Sequence, residues 1–220
     1  MAEINRAIEY TGPQKALIES KLRDVTFTYT NWGEEDISAL RKAIRDFYKM
    51  EQKAICSYCR NPVSLSSVLN CHVEHIAPKS RYRNFIFEPK NLCVICADCN
   101  EIKREQETLH EEPDTVKNGA HRKEYPRSSD AFKIFQPHFD NYDDHIVIFG
   151  GQYYVDKSVK GSHTILYCKL NRRLHKFGWS AEYTDDITIS ALMNKWSNET
   201  DSVKRYQILN ELHKLLAIAS

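Results

Sequence analysis

The chain has 220 residues and a formal net charge of +1, with 31 lysines and arginines against 30 aspartates and glutamates. A hydrophobic fraction of 41% is ordinary for a globular protein, and this length can bury a proper core. No run approaches the ~18 apolar residues of a membrane span, and the N-terminal sequence lacks the apolar segment of a signal peptide. Seven cysteines, an odd number, favour a reducing compartment over disulfides, so we expect a cytoplasmic protein.

The first segment, residues 1–53, is predicted to be an N-terminal helical arm. Apolar residues recur at helical spacing over 34–50, at Ile37, Leu40, Ile44 and Phe47. The acidic run at 34–36 fits the first turn of that helix, where the helix dipole favours negative charge. We interpret the apolar stripe as core packing, with a partner-binding face as the alternative. Upstream, alternation over 24–29 predicts a short strand or an extended arm.

Two Cys-x-x-Cys pairs, Cys56/Cys59 and Cys96/Cys99, mark the middle of the chain. Each short knuckle offers two thiolates to one face of a tetrahedral ion, so this spacing predicts one structural zinc site. A zinc ribbon that only binds nucleic acid is the alternative to an enzyme. The three other cysteines have no partner at such spacing and are interpreted as small buried hydrophobic residues: Cys71, Cys93 and Cys168.

An acid-histidine pair, Glu74-His75, lies between the two cysteine pairs and suits metal-assisted hydrolysis. After a loop comes the pair Asn91-Leu92, and Asn100 follows directly after the second cysteine pair. The order of these elements, interleaved with the two knuckles, is specific.

Residues 55–106 thus resemble the HNH endonucleases with a ββα-metal core. In that family a first strand ends in an Asp-His or Glu-His pair, an Asn-Leu pair opens the second strand, and a helix supplies a further metal ligand. The resemblance implies an α+β fold. We predict an HNH nuclease core with a four-cysteine structural zinc site at residues 54–110. It follows the N-terminal arm and precedes a C-terminal region, residues 111–220, which we predict to be mainly helical with a small β-hairpin.

The resemblance also implies roles for individual residues. His75 would be the general base, because a neutral imidazole that titrates near pH ~6.5 accepts a proton from water. Glu74 and Asn100 would hold a catalytic ion, and Asn91 would tie the loop to the strand and orient His75. Lys103, three residues beyond Asn100 on the same helix face, would stabilise negative charge.

Two positions depart from the usual family pattern. The family usually has His where this chain has Asn100, which makes it an HNN variant. An amide oxygen suits hard Mg²⁺ or Mn²⁺ better than softer metals, so we predict one of these as the catalytic ion. Glu74 replaces the commoner Asp and lengthens that ligand by one methylene, which we interpret as tolerable.

The loop after the acid-histidine pair carries three basic residues, Lys79, Arg81 and Arg83. They lie where the family places its loop along DNA, so phosphate contact is favoured over a solvated charge run. His72 alternates with Glu74 along the predicted strand, and we prefer a surface histidine to a metal ligand there.

The C-terminal segment begins with a polar loop region over 111–129, which is long for a compact domain. Residues 145–155 read as a β-hairpin with a glycine turn. After Gly161 the pattern becomes helical and ends in a last helix predicted over 201–219.

This segment carries a second, shorter resemblance, to HNH proteins of bacterial anti-phage operons such as the Septu-type nuclease subunit. It rests on residues 137–140, 144–146, 160–165 and 170–172. It implies an ABC-type ATPase as partner. A partner also fits the net charge of +1, because a protein that grips duplex DNA alone often has a plainly basic face.

The sequence therefore predicts a metal-dependent HNH endonuclease that cuts DNA in anti-phage defence with an ATPase partner. The alternatives are a non-catalytic zinc-ribbon adaptor and a stand-alone restriction or homing nuclease. Sequence leaves open whether the substrate is duplex, single-stranded or RNA.

Overall fold

The computed structural model describes residues 2–119, 122–149, 151–178 and 187–218. The chain forms two compact units, Met1–Tyr142 and Asp143–Ser220. Their boundary falls inside the predicted C-terminal segment, and the division of the chain into three domains stays a prediction. None of the described helices is both long and apolar enough to cross a membrane.

The described residues contain helices and two small sheets, joined by turns and loops, which confirms the predicted α+β class. The first unit contains α1 (Gly12–Arg23), α2 (Ser38–Glu51), β1 (His72–His75), β2 (Leu92–Ile95) and α3 (Ala97–Thr108). The second unit contains β3 (Ile146–Phe149), β4 (Tyr153–Asp156), α4 (Val159–Tyr167), α5 (Arg172–Phe177), α6 (Ile187–Asn198) and α7 (Ser202–Ile218).

The ββα arrangement lies in the first unit. β1 pairs antiparallel with β2, from His72 opposite Ile95 to His75 opposite Leu92. Every residue of β2 is buried, as expected for a strand covered on both faces, and α3 starts two residues after it. The predicted order of two strands and a helix is confirmed.

A side-chain amide binds the outer edge of β2. The Gln52 Oε1 atom accepts from the Val94 amide at 2.7 Å, and its Nε2 atom donates to the Val94 carbonyl at 2.9 Å. The Ser57 amide also donates to that carbonyl, at 3.1 Å. Both groups of Val94 that face away from β1 therefore have partners.

Helix α2 packs its predicted apolar stripe into the core of the first unit. Leu40 and Ile44 of that stripe are buried and Phe47 is half-buried, which confirms core packing over a free partner-binding face. Tyr48, which was not part of the predicted stripe, is buried too. The helix starts at Ser38, because residues 35–37 form a 3-10 turn. The Tyr48 hydroxyl donates to the Pro89 carbonyl at 2.6 Å and so ties α2 to the residues before β2.

Two features of the N-terminal segment differ from the sequence predictions. Helix α1 was not predicted, although Thr11 and Gln14 form a capping box at its start. The strand or extended arm predicted over 24–29 is wrong. There the Asp24 carboxylate accepts hydrogen bonds from the Thr26 amide at 2.8 Å and hydroxyl at 2.6 Å, which closes a turn.

The second unit confirms the predicted hairpin and last helix. β3 and β4 pair antiparallel, from Ile146 opposite Asp156 to Phe149 opposite Tyr153. Helix α7 ends the described chain within one residue of the predicted start and end. The buried cluster of this unit contains Tyr153, Leu174, Ile189, Met193 and Leu212.

Motif residues of the second resemblance hold backbone in place. The Asn171 amide accepts from the Tyr154 amide at 2.8 Å and donates to its carbonyl at 2.7 Å. At Gly161 a Cβ atom would lie 1.9 Å from the His145 carbonyl oxygen, so only glycine fits. In the first unit, His138 Nε2 donates to the Leu92 carbonyl at 2.8 Å.

Candidate active site

The four knuckle cysteines converge in one cluster. Their sulfur atoms all lie within 4.8 Å of one another, and all four side chains are buried. Zinc-thiolate bonds of about 2.3 Å place the sulfurs of a tetrahedral site about 3.8 Å apart, and the Cys59 and Cys96 sulfurs lie 3.5 Å apart. The donor set therefore fits one zinc ion, as the spacing predicts.

Local backbone geometry brings the two cysteine pairs together. Arg60 adopts a left-handed conformation with φ 60°, and its amide donates to the Cys56 carbonyl at 3.1 Å, which closes the first knuckle. Cys96 is the N-cap of α3, and Cys99 lies in its first turn. The start of α3 is thus fixed at the cluster.

Glu74 is a buried carboxylate near the end of β1. Its Oε1 atom accepts from the Tyr58 hydroxyl at 3.1 Å and lies 3.5 Å from the Lys103 ammonium. Burial raises the pKa of Glu74, while the charge of Lys103 and the Tyr58 hydrogen bond act in the opposite direction. Lys103 is also 3.5 Å from the Glu112 carboxylate, so one ammonium joins two buried acids.

His75 is held in one tautomer at the end of β1. Its Nε2 atom lies 3.1 Å from the Ile86 carbonyl, which can only accept, so Nε2 carries the proton and Nδ1 keeps its lone pair. The rings of Trp32 and His75 are nearly perpendicular, with their centroids 4.5 Å apart. Burial, with the nearby charge of Lys79, lowers the pKa of His75 to about 3. The ring is 5% exposed and neutral at physiological pH.

Asn91 joins the two ends of the loop that follows β1. Its Oδ1 atom accepts from the Ala77 amide at 2.7 Å, and its Nδ2 atom donates to the carbonyls of Ala77 at 3.1 Å and Phe85 at 2.9 Å. Its backbone carbonyl accepts from the Ile76 amide, next to His75. These contacts agree with the predicted loop tie, and its effect on catalysis stays a prediction.

One cleft of about 670 Å³ brings most of the predicted site together. Glu74 and His75 reach it from β1, Asn100 and Lys103 from α3, and Lys79 from the loop. Asn91 is fully buried behind the loop and does not line the cleft. The lining also includes residues that the sequence did not single out: Trp32, Arg41, Arg45, Arg104, Glu107 and Glu112.

The three basic residues of the loop have different surroundings. The Lys79 ammonium lies 2.5 Å from both carboxylate oxygens of Glu107. Arg81 donates to the Glu112 carbonyl at 2.9 and 3.2 Å. Arg83 donates to backbone carbonyls at and beyond the C-terminal end of α1, including those of Leu22 at 3.0 Å and Phe27 at 2.7 Å. These contacts indicate a structural role for Arg83, and DNA contact by all three stays a prediction.

The other candidates are His72 and the three cysteines outside the cluster. His72 is half-buried and its Nε2 atom lies 3.0 Å from the Leu69 carbonyl, while its side chain reaches the rim of the cleft. Cys71, Cys93 and Cys168 are buried and in no disulfide, as predicted.

Three residues that support the site were missed from the sequence. Tyr58 lies inside the first knuckle, where only the cysteines carry a spacing signal. Trp32 belongs to a 3-10 turn over residues 29–33, and Glu112 to the polar loop after α3, and neither has a motif around it.

The comparison with protein families agrees with this geometry. A family model described as HNH endonuclease matches residues 56–106. Both β-strands of the first unit, nearly all of α3 and the four clustered cysteines fall inside the match. The chain therefore carries an HNH domain. A search of curated proteins gave no match.

Proposed function

We propose that the chain is a metal-dependent endonuclease that hydrolyses phosphodiester bonds of DNA. The observation that carries the proposal is the single cleft in which Glu74 and His75 meet Asn100 and Lys103. The HNH match supports nuclease activity of this domain. DNA as the substrate rests on the same family likeness.

His75 acts as the general base in this proposal. Because its Nε2 proton is donated to the Ile86 carbonyl, the Nδ1 lone pair is the one available to a water molecule. That water loses its proton to Nδ1 as its oxygen bonds to phosphorus, and the bond to the 3′-oxygen breaks. The lowered pKa keeps the imidazole neutral, so the base is in its active form throughout the physiological range.

Glu74 and Asn100 would hold the catalytic ion. One carboxylate oxygen and one amide oxygen in the same cleft form the hard donor set that Mg²⁺ or Mn²⁺ prefers, with water as further ligands. When bound, such an ion neutralises the phosphate and stabilises the leaving oxygen. Tyr58 and Lys103 fix the Glu74 carboxylate through the contacts described above. The cysteine cluster would hold a structural zinc ion and so fix the start of α3.

The test is nicking of plasmid DNA by the purified protein in Mg²⁺ or Mn²⁺. We expect His75→Ala to lower the rate by about 100-fold or more, because a general base contributes at least that much. His72→Ala is the matched control, since His72 lies on the same strand and at the same cleft. It should cut at nearly the wild-type rate. Full activity of His75→Ala would refute the assignment.

A second candidate is a nucleic-acid-binding zinc subunit without catalysis. The burial of His75 beneath Trp32 favours it, because a base must reach water to act. Nicking that requires a divalent ion and His75 would exclude this candidate. Binding of DNA without any metal-dependent cutting would establish it.

We further propose that the nuclease serves bacterial anti-phage defence with an ABC-type ATPase as partner. The Septu-type likeness of residues 137–172 and the net charge of +1 support this setting. The test is to express the chain with its genomic neighbours and compare DNA cutting at physiological salt with and without a copurifying ATPase. Unrestrained cutting by the isolated chain would instead support a stand-alone restriction or homing nuclease.

A further inference from the structure

The charge of the cleft differs from that of the whole chain. Among the described residues that line it, five side chains are cationic and three are carboxylates. The chain as a whole carries only +1. Positive charge is therefore concentrated where the proposed function needs a phosphate backbone to lie.

Three of these five cations are already compensated. Lys79 faces Glu107 at 2.5 Å, and Arg104 faces Glu101 at 3.2 Å. Lys103 lies between two buried acids, as described above. An ammonium or guanidinium that is paired with a carboxylate adds little to the attraction for a polyanion.

The other two cations, Arg41 and Arg45, come from α2. Arg41 donates to the Trp32 carbonyl, which is neutral, so its charge is not cancelled. No ion pair or hydrogen bond joins the Arg45 side chain to another residue in the described part of the chain. The two are four residues apart, so they lie on one face of the helix, about 6 Å apart along its axis.

The charge of Arg45 also acts on a residue next to β1. Burial raises the pKa of Cys71, the residue before β1, and the charges of Lys49 and Arg45 oppose that shift. Arg45 is half-buried and lines the same cleft as Cys71, Glu74 and His75.

We propose that Arg41 and Arg45 bind the phosphate backbone of the DNA and form a second wall of the substrate track. The inference rests on the proposed function and names residues outside the segment that the HNH model matches. A guanidinium suits this task because its planar fork binds two phosphate oxygens at once. Arg41 also holds the Trp32 segment that covers His75, so Arg45 is the cleaner residue to test.

The experiment measures binding of the full chain to a short fluorescent DNA duplex by anisotropy, without added Mg²⁺ or Mn²⁺, from about 50 to about 200 mM KCl. Loss of one phosphate contact should lower the slope of log K against log salt by about 0.9. We expect Arg45→Gln to show this change, with affinity at physiological salt weakened about fivefold. Arg45→Lys keeps the charge and should keep the slope.

Lys15→Gln is the matched control, because Lys15 is exposed on α1, does not line the cleft and, within the described residues, has no ion pair that already offsets its charge. Its slope should equal that of the wild type. In cleavage assays, Arg45→Gln should raise KM for DNA and leave kcat nearly unchanged.

The result identifies which proposal fails. If the wild type binds DNA with a steep salt dependence but Arg45→Gln behaves like Lys15→Gln, the α2 wall is wrong and the nuclease proposal stands. If the wild type neither binds DNA in a salt-dependent way nor nicks plasmid DNA in Mg²⁺ or Mn²⁺, both proposals are overturned. If it nicks DNA but shows no salt-dependent binding, only the α2 wall is wrong.

Discussion

The HNH domain has two halves that are built in different ways. The cysteine cluster takes all its ligands from two short knuckles whose spacing is visible in the sequence. The cleft takes Glu74 and His75 from the motif, but it positions them with Trp32 and Glu112 from outside the matched segment. Both sites join segments that are distant in the chain, since Cys59 and Cys96 are 37 residues apart. They differ because each zinc knuckle carries a spacing motif, whereas the residues that support the proposed catalytic site lie in segments without one.

The largest effect should come from breaking the cysteine cluster. Because structural zinc binding is part of the folding free energy, Cys96→Ser should lose the ion and much of the stability of the first unit. We expect about one zinc per wild-type chain, and in the variant a loss of bound zinc with a collapse of cooperative thermal unfolding.

Cys71→Ala is the control for that experiment, since Cys71 is buried but lies outside the cluster. It should keep the zinc. Soluble, active wild-type protein without zinc would contradict the prediction.

An intermediate effect should appear in the stability at acid pH, through the buried His138, which binds the Leu92 carbonyl at the start of β2. Burial lowers the pKa of His138 to about 4, while an unfolded histidine titrates near pH ~6.5. The unfolded state therefore binds the proton first, so this contribution is complete above about pH 6.5 and is lost as the pH falls towards 4. The loss amounts to about 3 kcal/mol in the free energy of unfolding.

Urea denaturation at several pH values measures this effect. His75 has a lowered pKa too and adds to the same trend, so the comparison is between the wild type and His138→Gln. The variant is less stable at neutral pH, because the hydrogen bond to the Leu92 carbonyl is altered, but its stability should fall less steeply in acid. Equal slopes for the two proteins would contradict the prediction.

The smallest effect should come from Glu112→Gln. Lys103 would then lose the Glu112 carboxylate, so its charge would act more strongly on Glu74 and compete with a catalytic ion for that carboxylate. We expect DNA nicking to require about a tenfold higher Mg²⁺ concentration, which corresponds to ion binding weakened by about 1.4 kcal/mol. The zinc content should be unchanged.

Glu101→Gln supplies the matched comparison, since it removes an exposed carboxylate from the pair with Arg104. Its Mg²⁺ requirement should stay that of the wild type. Identical titrations for both variants would show that Glu112 does not influence the ion site.

The sequence predicted those parts of the domain whose signal is local. The ββα order and the cysteine cluster follow from short motifs, and the helical period of α2 is clear within fourteen residues. The contacts of Asn91 also match expectation, because the position of an Asn-Leu pair at a strand start is itself part of the pattern.

Contacts between distant segments could not be predicted in this way. Trp32 contacts His75 although more than forty residues separate them, and no periodic sequence pattern predicts such a contact. One local signal was also missed and another was misread. The capping box of Thr11 indicates the start of α1. The alternation over 24–29 does not produce a strand, because the Asp24 carboxylate closes a turn there.

The amide of Gln52 has a consequence for self-association. A two-stranded sheet exposes unpaired edges that can recruit a strand from another molecule. By binding both outward groups of Val94, the Gln52 side chain imitates the backbone of a third strand and closes that edge. Gln52→Ala would reopen it, although the Ser57 amide would still occupy the carbonyl. Gln52, together with the Ser57 amide and His138, thus protects this two-stranded sheet against pairing with a strand of another molecule.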